Sequence, residues 1–225
     1  MKAMILAAGY GERMRPMTDL TPKPLLRVAG RELLDYHLER LAAAGVRQCV
    51  INVSHLGDQI EAFCGSGDRW GMAIQISRES VPLETAGGII AALPLLGDGA
   101  FLLVNGDVWT DFPFADLLHP LPPSDSAHLV LVDNPPHHAL GDFLLQERGR
   151  VQRREPDQRG LTYAGIGVFT PRFFAGVRAG KQPLLPLLEA AIDNRSLSGR
   201  HYEGDWEDVG TPIRLQALDE RLCSR

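Results

Sequence analysis

The sequence predicts an α/β fold: a single domain built on a doubly wound, mixed but mostly parallel, Rossmann-like sheet. Three observations carry that expectation. Short continuous apolar runs recur at Ala3 to Ala8, Cys49 to Val53 and Phe101 to Val104, the pattern of strands buried on both faces. Segments with apolar residues at helical spacing fall between them. The joints are short, so successive strands require right-handed crossovers with helices on both faces.

The first run empties into Gly9-Tyr10-Gly11-Glu12-Arg13-Met14-Arg15-Pro16, continued by Pro22-Lys23-Pro24. Such a loop suits a phosphate chain. Glycines let backbone N–H groups approach anionic oxygens, and the cations add charge that amides lack. The two prolines stiffen the backbone around Lys23. A Walker A loop is excluded, because no G-x-x-x-x-G-K-[ST] run exists. A dinucleotide fingerprint is disfavoured, because Met14 stands where its third glycine belongs, and an NAD(P)-binding protein is disfavoured with it. A plain glycine turn with surface cations is the competing reading.

Leu33, Leu34, His37, Leu38, Leu41 and Ala44 recur at helical spacing, and Gly45 can end that helix. His37 on its apolar stripe reads as structural. A second helix follows over Leu56, Ile60 and Phe63, and Ala73 to Ser77 alternates like a strand. Thr85 can cap the next helix, whose first turn Gly87-Gly88 lay bare. Asp107 follows an apolar strand, on the carboxyl edge where doubly wound folds bind ligands. His128 to Val132 and Thr162 to Phe169 read as strands, with a hairpin-like turn at Arg148-Gly149-Arg150. His137-His138 invites a metal reading, but adjacent side chains diverge and no further ligand is in view. A helix runs through Ala190 and Ile192, and another over Ile213 to Leu222, with Thr211 as its N-cap and Pro212 in its first turn.

With 44% apolar and 23% charged residues over 225, the chain has the composition of a soluble globular protein. A net charge of −5 argues against nucleic acid as a partner, though not against a nucleotide held by one cationic loop. Three cysteines without C-x-x-C spacing fit a reducing cytoplasm better than a disulfide framework. No apolar segment reaches the roughly 18 residues of a membrane span.

Leu6-Ala7-Ala8-Gly9-x-Gly11-x-Arg13-Met14-x-Pro16 followed by Pro22-Lys23-Pro24 resembles the signature of the sugar-1-phosphate nucleotidyltransferases. Glu12 departs from it, where many members carry Thr or Ser. Leu83-Glu84-Thr85-Ala86-Gly87 resembles the family's L-G-T-A-G element, with Glu84 in place of glycine. Gly106-Asp107 resembles its G-D element. Gly141-Asp142-Phe143, Glu155-Pro156 and Tyr163-Ala164-Gly165 resemble its sugar-pocket elements, and Trp206-Glu207-Asp208-Val209-Gly210-Thr211-Pro212 its W-x-D-x-G-T-P element.

The resemblance implies a GT-A-like nucleotidyltransferase fold and transfer of a nucleotidyl group from an NTP to a sugar 1-phosphate, with Mg²⁺. Lys23, Arg13 and Asp107 are its implied catalytic residues. Leu6, Ala8, Gly9, Gly11, Glu12, Arg13 and Lys23 are implied to hold the nucleotide, joined by Thr85, Gly87 and Gly88. Asn105, Gly141, Asp142, Glu155 and Gly165 are implied sugar contacts. Asp107 and Asp208 are the implied metal carboxylates, with Asp205 the less favoured substitute. Strand alternation supports that order, since 206 and 208 share one face and 205 and 207 the other. Residues 1–110 are expected to form a nucleotide-binding half and 111–225 a sugar-binding half, with no appended C-terminal domain, which makes a monomer plausible. The bare length, the L-E-T-A-G-G run and V-D-N-P-P followed by G-D-F point to the small members that load a bacterial cell-wall sugar phosphate with UTP. Glucose 1-phosphate with dTTP or UTP, and mannose 1-phosphate with GTP, remain open pairs.

Overall fold

In the computed structural model, which describes residues 1–224, the expected layers form around a seven-stranded sheet. β1 (Lys2–Leu6) leads into the glycine loop, and β2 (Arg27–Val28) and β3 (Arg31–Glu32) make a small ladder before α1 (Leu33–Ala43). β4 (Gln48–Val53), α2 (Gly57–Cys64), β5 (Ala73–Arg78), α3 (Glu84–Leu96) and β6 (Phe101–Asn105) complete the first crossovers. Then come β7 (Val108–Thr110), β8 (Ala127–Val132), β9 (Phe143–Leu145), β10 (Val151–Arg153) and β11 (Thr162–Phe169). α4 (Leu185–Asp193), β12 (Leu197–Tyr202), β13 (Trp206–Asp208) and α5 (Pro212–Cys223) finish the chain.

The sheet order is β12-β8-β11-β6-β1-β4-β5. β1, β4, β5 and β6 pair in parallel, as do β8 and β12; β11 alone runs antiparallel to both its neighbours. The mixed, mostly parallel sheet follows from this one reversed strand. Side chains alternate between two cores. Ala3, Ile5 and Ile51 face α1 and α2, while Met4, Val50 and Leu103 face α3 and α4.

A third, smaller core ties the ends of the chain together. Met14 of the glycine loop, Leu26 and Val28 pack with Trp109, Val209, Leu215 and Leu218. The C-terminal helix therefore seals against the first half of the sequence, so the expected halves interlock. Thr211 caps α5 as expected, its Oγ1 accepting the Arg214 N–H at 3.4 Å.

α3 begins differently from expectation. Thr85 lies inside the helix and makes no cap bond. Instead Glu79 Oε2 accepts the Leu83 N–H at 2.9 Å, and the Gln182 carbonyl accepts the N–H groups of Ala86 and Gly87. A passing segment has taken the capping task from a side chain.

Cys49, Cys64 and Cys223 are all free, and burial pushes the Cys64 thiol up to about 12. None of the helices among the described residues is long and apolar enough to cross a membrane.

His37 is buried, and its Nε2 has no partner among the described residues. Burial is the main cause that lowers its pKa to about 4, against a hydrogen bond to the Val108 backbone that raises it. The unfolded chain therefore binds this proton more readily than the folded one. The stability tied to neutral His37 is complete above about pH 6.5 and falls as pH drops toward 4, by up to about 3 kcal/mol. Urea-unfolding free energies measured from pH 7 to 4 should fall more steeply in the wild type than in His37→Gln. Equal slopes would show that His37 does not carry the effect.

Candidate active site

The carboxyl ends of β1, β4 and β6 open into a cleft of about 740 Å³. Its floor is the glycine loop. Gly11 holds φ +64°, and a Cβ there would come 2.8 Å from Thr18 Cγ2. Its carbonyl accepts both the Met14 N–H and the Thr18 hydroxyl at 2.8 Å, so the loop is braced from two sides. Leu6, Ala8, Gly9, Glu12, Arg13 and Lys23 line the cleft with it, and Thr85 faces in from the opposite rim.

Pro22 and Pro24 bracket Lys23 as the sequence suggested, and the lysine is largely buried. Its Nζ donates to Asp107 Oδ2 at 2.5 Å. A cation from the first loop and a carboxylate beyond the end of β6 thus meet at one point.

A second cavity, of about 400 Å³, adjoins the first. Arg13, Asn105 and Asp107 line both, so they mark the junction. Asn105 Oδ1 is buried there with no partner among the described residues. Asp208 lines the second cavity too. β7 and β13 pair antiparallel with Asp208 opposite Val108, and the Val209 N–H reaches the Asp107 carbonyl at 3.0 Å. Two short strands therefore hold the two aspartates side by side. Asp205 turns elsewhere: its carboxylate pairs with Arg221, while its carbonyl holds Thr110 Oγ1 and the Asp111 N–H.

The sugar-side expectations divide. Gly165 lines the second cavity with φ +71°, and a Cβ there would lie 2.6 Å from Asn105 Nδ2. Gly141 and Asp142 lie behind the lining. Asp142 accepts the Tyr163 N–H at 2.8 Å and pairs with His138 at 2.9 Å, so it positions the wall without facing the cavity. Glu155 stands apart. It is exposed on the turn after β10, lines neither cavity, and bonds through its backbone to Gln158.

Gly87 and Gly88 stand apart too. Both are buried away from the cleft lining. A Cβ on Gly87 would strike the Gly180 carbonyl, and one on Gly88 would meet Glu79 and Asn52. They are small because chain segments pass close by. With the Ala86 and Gly87 N–H groups already bonded to Gln182, this turn shows its Glu84–Thr85 edge to the cleft.

Several residues escaped the sequence reading. Asn52 Oδ1 accepts the Ala7 N–H at 2.8 Å, and its amide donates to Glu79 Oε1 at 2.7 Å. This buried pair joins the glycine loop to the start of α3, and both residues line the cleft. Lys181 lines the same rim, 3.3 Å from Glu84. His137 and His138 both line the second cavity. The His-His dipeptide was the one available signal, and the metal reading it invites was already disfavoured because adjacent side chains diverge. Among the described residues no group of three or more His, Cys, Asp and Glu side chains is placed to hold one.

A family model described as nucleotidyl transferase matches residues 2–224. The chain is 50% identical to an N-acetylmuramate alpha-1-phosphate uridylyltransferase of Neisseria meningitidis, over 96% of each chain. It is 36% identical to the enzyme of that name from Caulobacter vibrioides, over 98% of this chain and 96% of the relative. The mannose-1-phosphate guanylyltransferase catalytic subunit beta of Danio rerio is 30% identical, and there the match spans 62% of the longer protein. A crystal structure from Bacillus anthracis, assigned as a glucose-1-phosphate thymidylyltransferase and solved with sucrose, superposes with a TM-score of 0.85 at 19% identity, over the whole of this chain. That last likeness concerns the fold. On the match across residues 2–224 and these identities, the chain belongs to the nucleotidyl transferase family.

Proposed function

We propose that the protein transfers a uridylyl group from UTP to N-acetylmuramate α-1-phosphate, forming UDP-N-acetylmuramate and pyrophosphate. The observation that carries the reaction is the junction, where Lys23, Arg13, Asp107 and Asp208 converge between two adjoining cavities. The substrate pair is supported by the names and identities of the two bacterial relatives.

The larger cleft receives the nucleotide, with its phosphates over Gly9 to Arg13 and its nucleoside toward Glu84 and Thr85. The smaller cavity receives the sugar. One oxygen of the sugar phosphate attacks the α-phosphorus in line. The bond from that phosphorus to the bridging oxygen breaks, and pyrophosphate leaves. Both reactants are anions, so positioning and charge neutralisation carry the catalysis. Lys23 faces the reacting phosphates, and Arg13 reaches the β- and γ-phosphates. No protein nucleophile enters.

Asp107 and Asp208 form an oxygen-only donor pair, and the orphaned Asn105 Oδ1 lies in the same wall. An all-oxygen donor set of this kind fits a hard divalent cation. Asp107 and Asp208 would hold Mg²⁺, which supplies charge to the crowded phosphate oxygens. The reading keeps the protein in the cytoplasm, with no membrane or nucleic-acid partner, acting as a monomer.

Pyrophosphate release from purified protein, screened across UTP, GTP, dTTP and ATP with a panel of sugar 1-phosphates, should be fastest for UTP with N-acetylmuramate α-1-phosphate. A preference for GTP with mannose 1-phosphate, or dTTP with glucose 1-phosphate, would replace the pair and keep the reaction. Lys23→Ala removes an electrostatic contact of a kind that contributes about 2.7–4 kcal/mol to the barrier, so its kcat should fall roughly a hundredfold or more. Near-normal turnover would remove Lys23 from the mechanism. Asp107→Asn and Asp208→Asn should each depress Mg²⁺-dependent turnover strongly, and Asp205→Asn far less. The opposite ranking in a Mg²⁺ titration would transfer the ligand role to Asp205.

A further inference from the structure

Asp208 already has a cation. Arg214 Nη1 donates to its Oδ2 at 2.7 Å, and His137 Nε2 stands 3.4 Å from the same oxygen. Arg214 Nη1 also lies 2.5 Å from His137 Nε2. The Arg214 side chain is only 15% exposed. Gly210 makes room for it: a Cβ there would come 2.1 Å from Arg214 Nη2. Room, hydrogen bonds and burial together describe a built seat, not a passing surface contact.

Asp107 is matched in the same way by Lys23. Each carboxylate of the acidic pair is therefore neutralised from within the chain. A divalent cation approaching the free site meets two occupied carboxylates and two resident positive charges. The seats differ. Lys23 sits in the cleft that receives the phosphates, so an arriving triphosphate offers it a new anion directly. Arg214 lines neither cavity and stands behind Asp208, on the first turn of α5.

We propose that Arg214 is the internal counter-ion of Asp208. It holds the carboxylate in the unliganded site and competes with the divalent cation for it. Metal affinity of the free enzyme is thereby kept low until nucleotide phosphates add their own oxygens and negative charge. The inference rests on the reading of Asp107 and Asp208 as the metal carboxylates. Arg214 acts through Asp208, so it is a positioning residue, and its effect belongs in metal binding before any turnover.

Mn²⁺ binding to the full-length protein without nucleotide, followed by the electron paramagnetic resonance signal of free Mn²⁺, tests this directly. Arg214→Met keeps much of the side-chain stem and removes the charge. It should bind Mn²⁺ about tenfold more tightly than the wild type, since an uncompensated carboxylate attracts a cation that a paired one does not. Arg214→Lys should return the affinity toward the wild-type value. The gain in Arg214→Met should vanish when Asp208→Asn is added.

A purely structural role would lower the unfolding midpoint of Arg214→Met and leave Mn²⁺ affinity unchanged. That result overturns the proposal, as does a gain that survives Asp208→Asn. The two readings fail separately. Mn²⁺ binding that needs both aspartates but ignores Arg214 sinks only the counter-ion role. Binding indifferent to both aspartates sinks the reading of the acidic pair itself.

Discussion

The contact between Lys23 and Asp107 is the constraint on which the site depends. It joins a loop after the first strand to a turn after the sixth, 84 residues apart in sequence. The sheet makes this possible because β1 and β6 are hydrogen-bonded neighbours, in parallel and in register from Lys2 with Phe101 to Leu6 with Asn105. Parallel pairing sends both chains out on the same edge. The loop and the carboxylate then emerge beside one another with no further folding work. An antiparallel β6 would have placed Asp107 at the opposite edge of the sheet.

The third core extends that constraint to the far end of the chain. Trp109 and Val209 follow Asp107 and Asp208 closely in sequence, and both are buried against Met14. Apolar burial thus fixes the turns whose polar residues face the cavities. Such burial is non-directional, and large side chains like Met14 and Trp109 contribute several kcal/mol together. The hydrogen bond from Val209 to the Asp107 carbonyl adds the direction that burial lacks. Burial brings α5 and the glycine loop together, and the small β7–β13 ladder sets the register of the two carboxylates.

Much of this was legible in the sequence, for local reasons. The glycine loop, the stiff Pro-Lys-Pro arm and the strand-ending Asp107 each announce themselves within a few residues. Strand alternation separated Asp208 from Asp205, and the fold kept that separation. Gly87 and Gly88 were harder to read, because small size permits two things, ligand approach and chain packing. Only the position of Gly180 and Gln182, nearly a hundred residues onward, selects between them. Glu155 was harder to place, because a short hairpin carries no signal for which side of its exit faces a cavity. Arg214 was invisible for a simpler reason: an arginine in the first turn of a helix looks like any solvated charge until the preceding strand folds its aspartate against it.

The placements that sequence pattern left open share a location. Asp107 and Asp208 sit at or just beyond strand ends, where sheet geometry fixes them and sequence pattern reveals them. Glu84, Gly87, Gly88 and Glu155 sit on segments between strands, where long-range contacts decide what a residue faces. Glu84 shows how far that can go. It holds φ +60°, a conformation that L side chains adopt at a cost of about 1–2 kcal/mol. Its exposed ion pair with Lys181 offsets little of that. The bonds that fix the turn are those of Glu79 to the Leu83 N–H and of Gln182 to Leu83, Ala86 and Gly87. The backbone around Glu84 is thus over-determined by its neighbours, which leaves the carboxylate at the mouth of the larger cleft where a family glycine would present none. The strained turn persists because the frame around it holds it there.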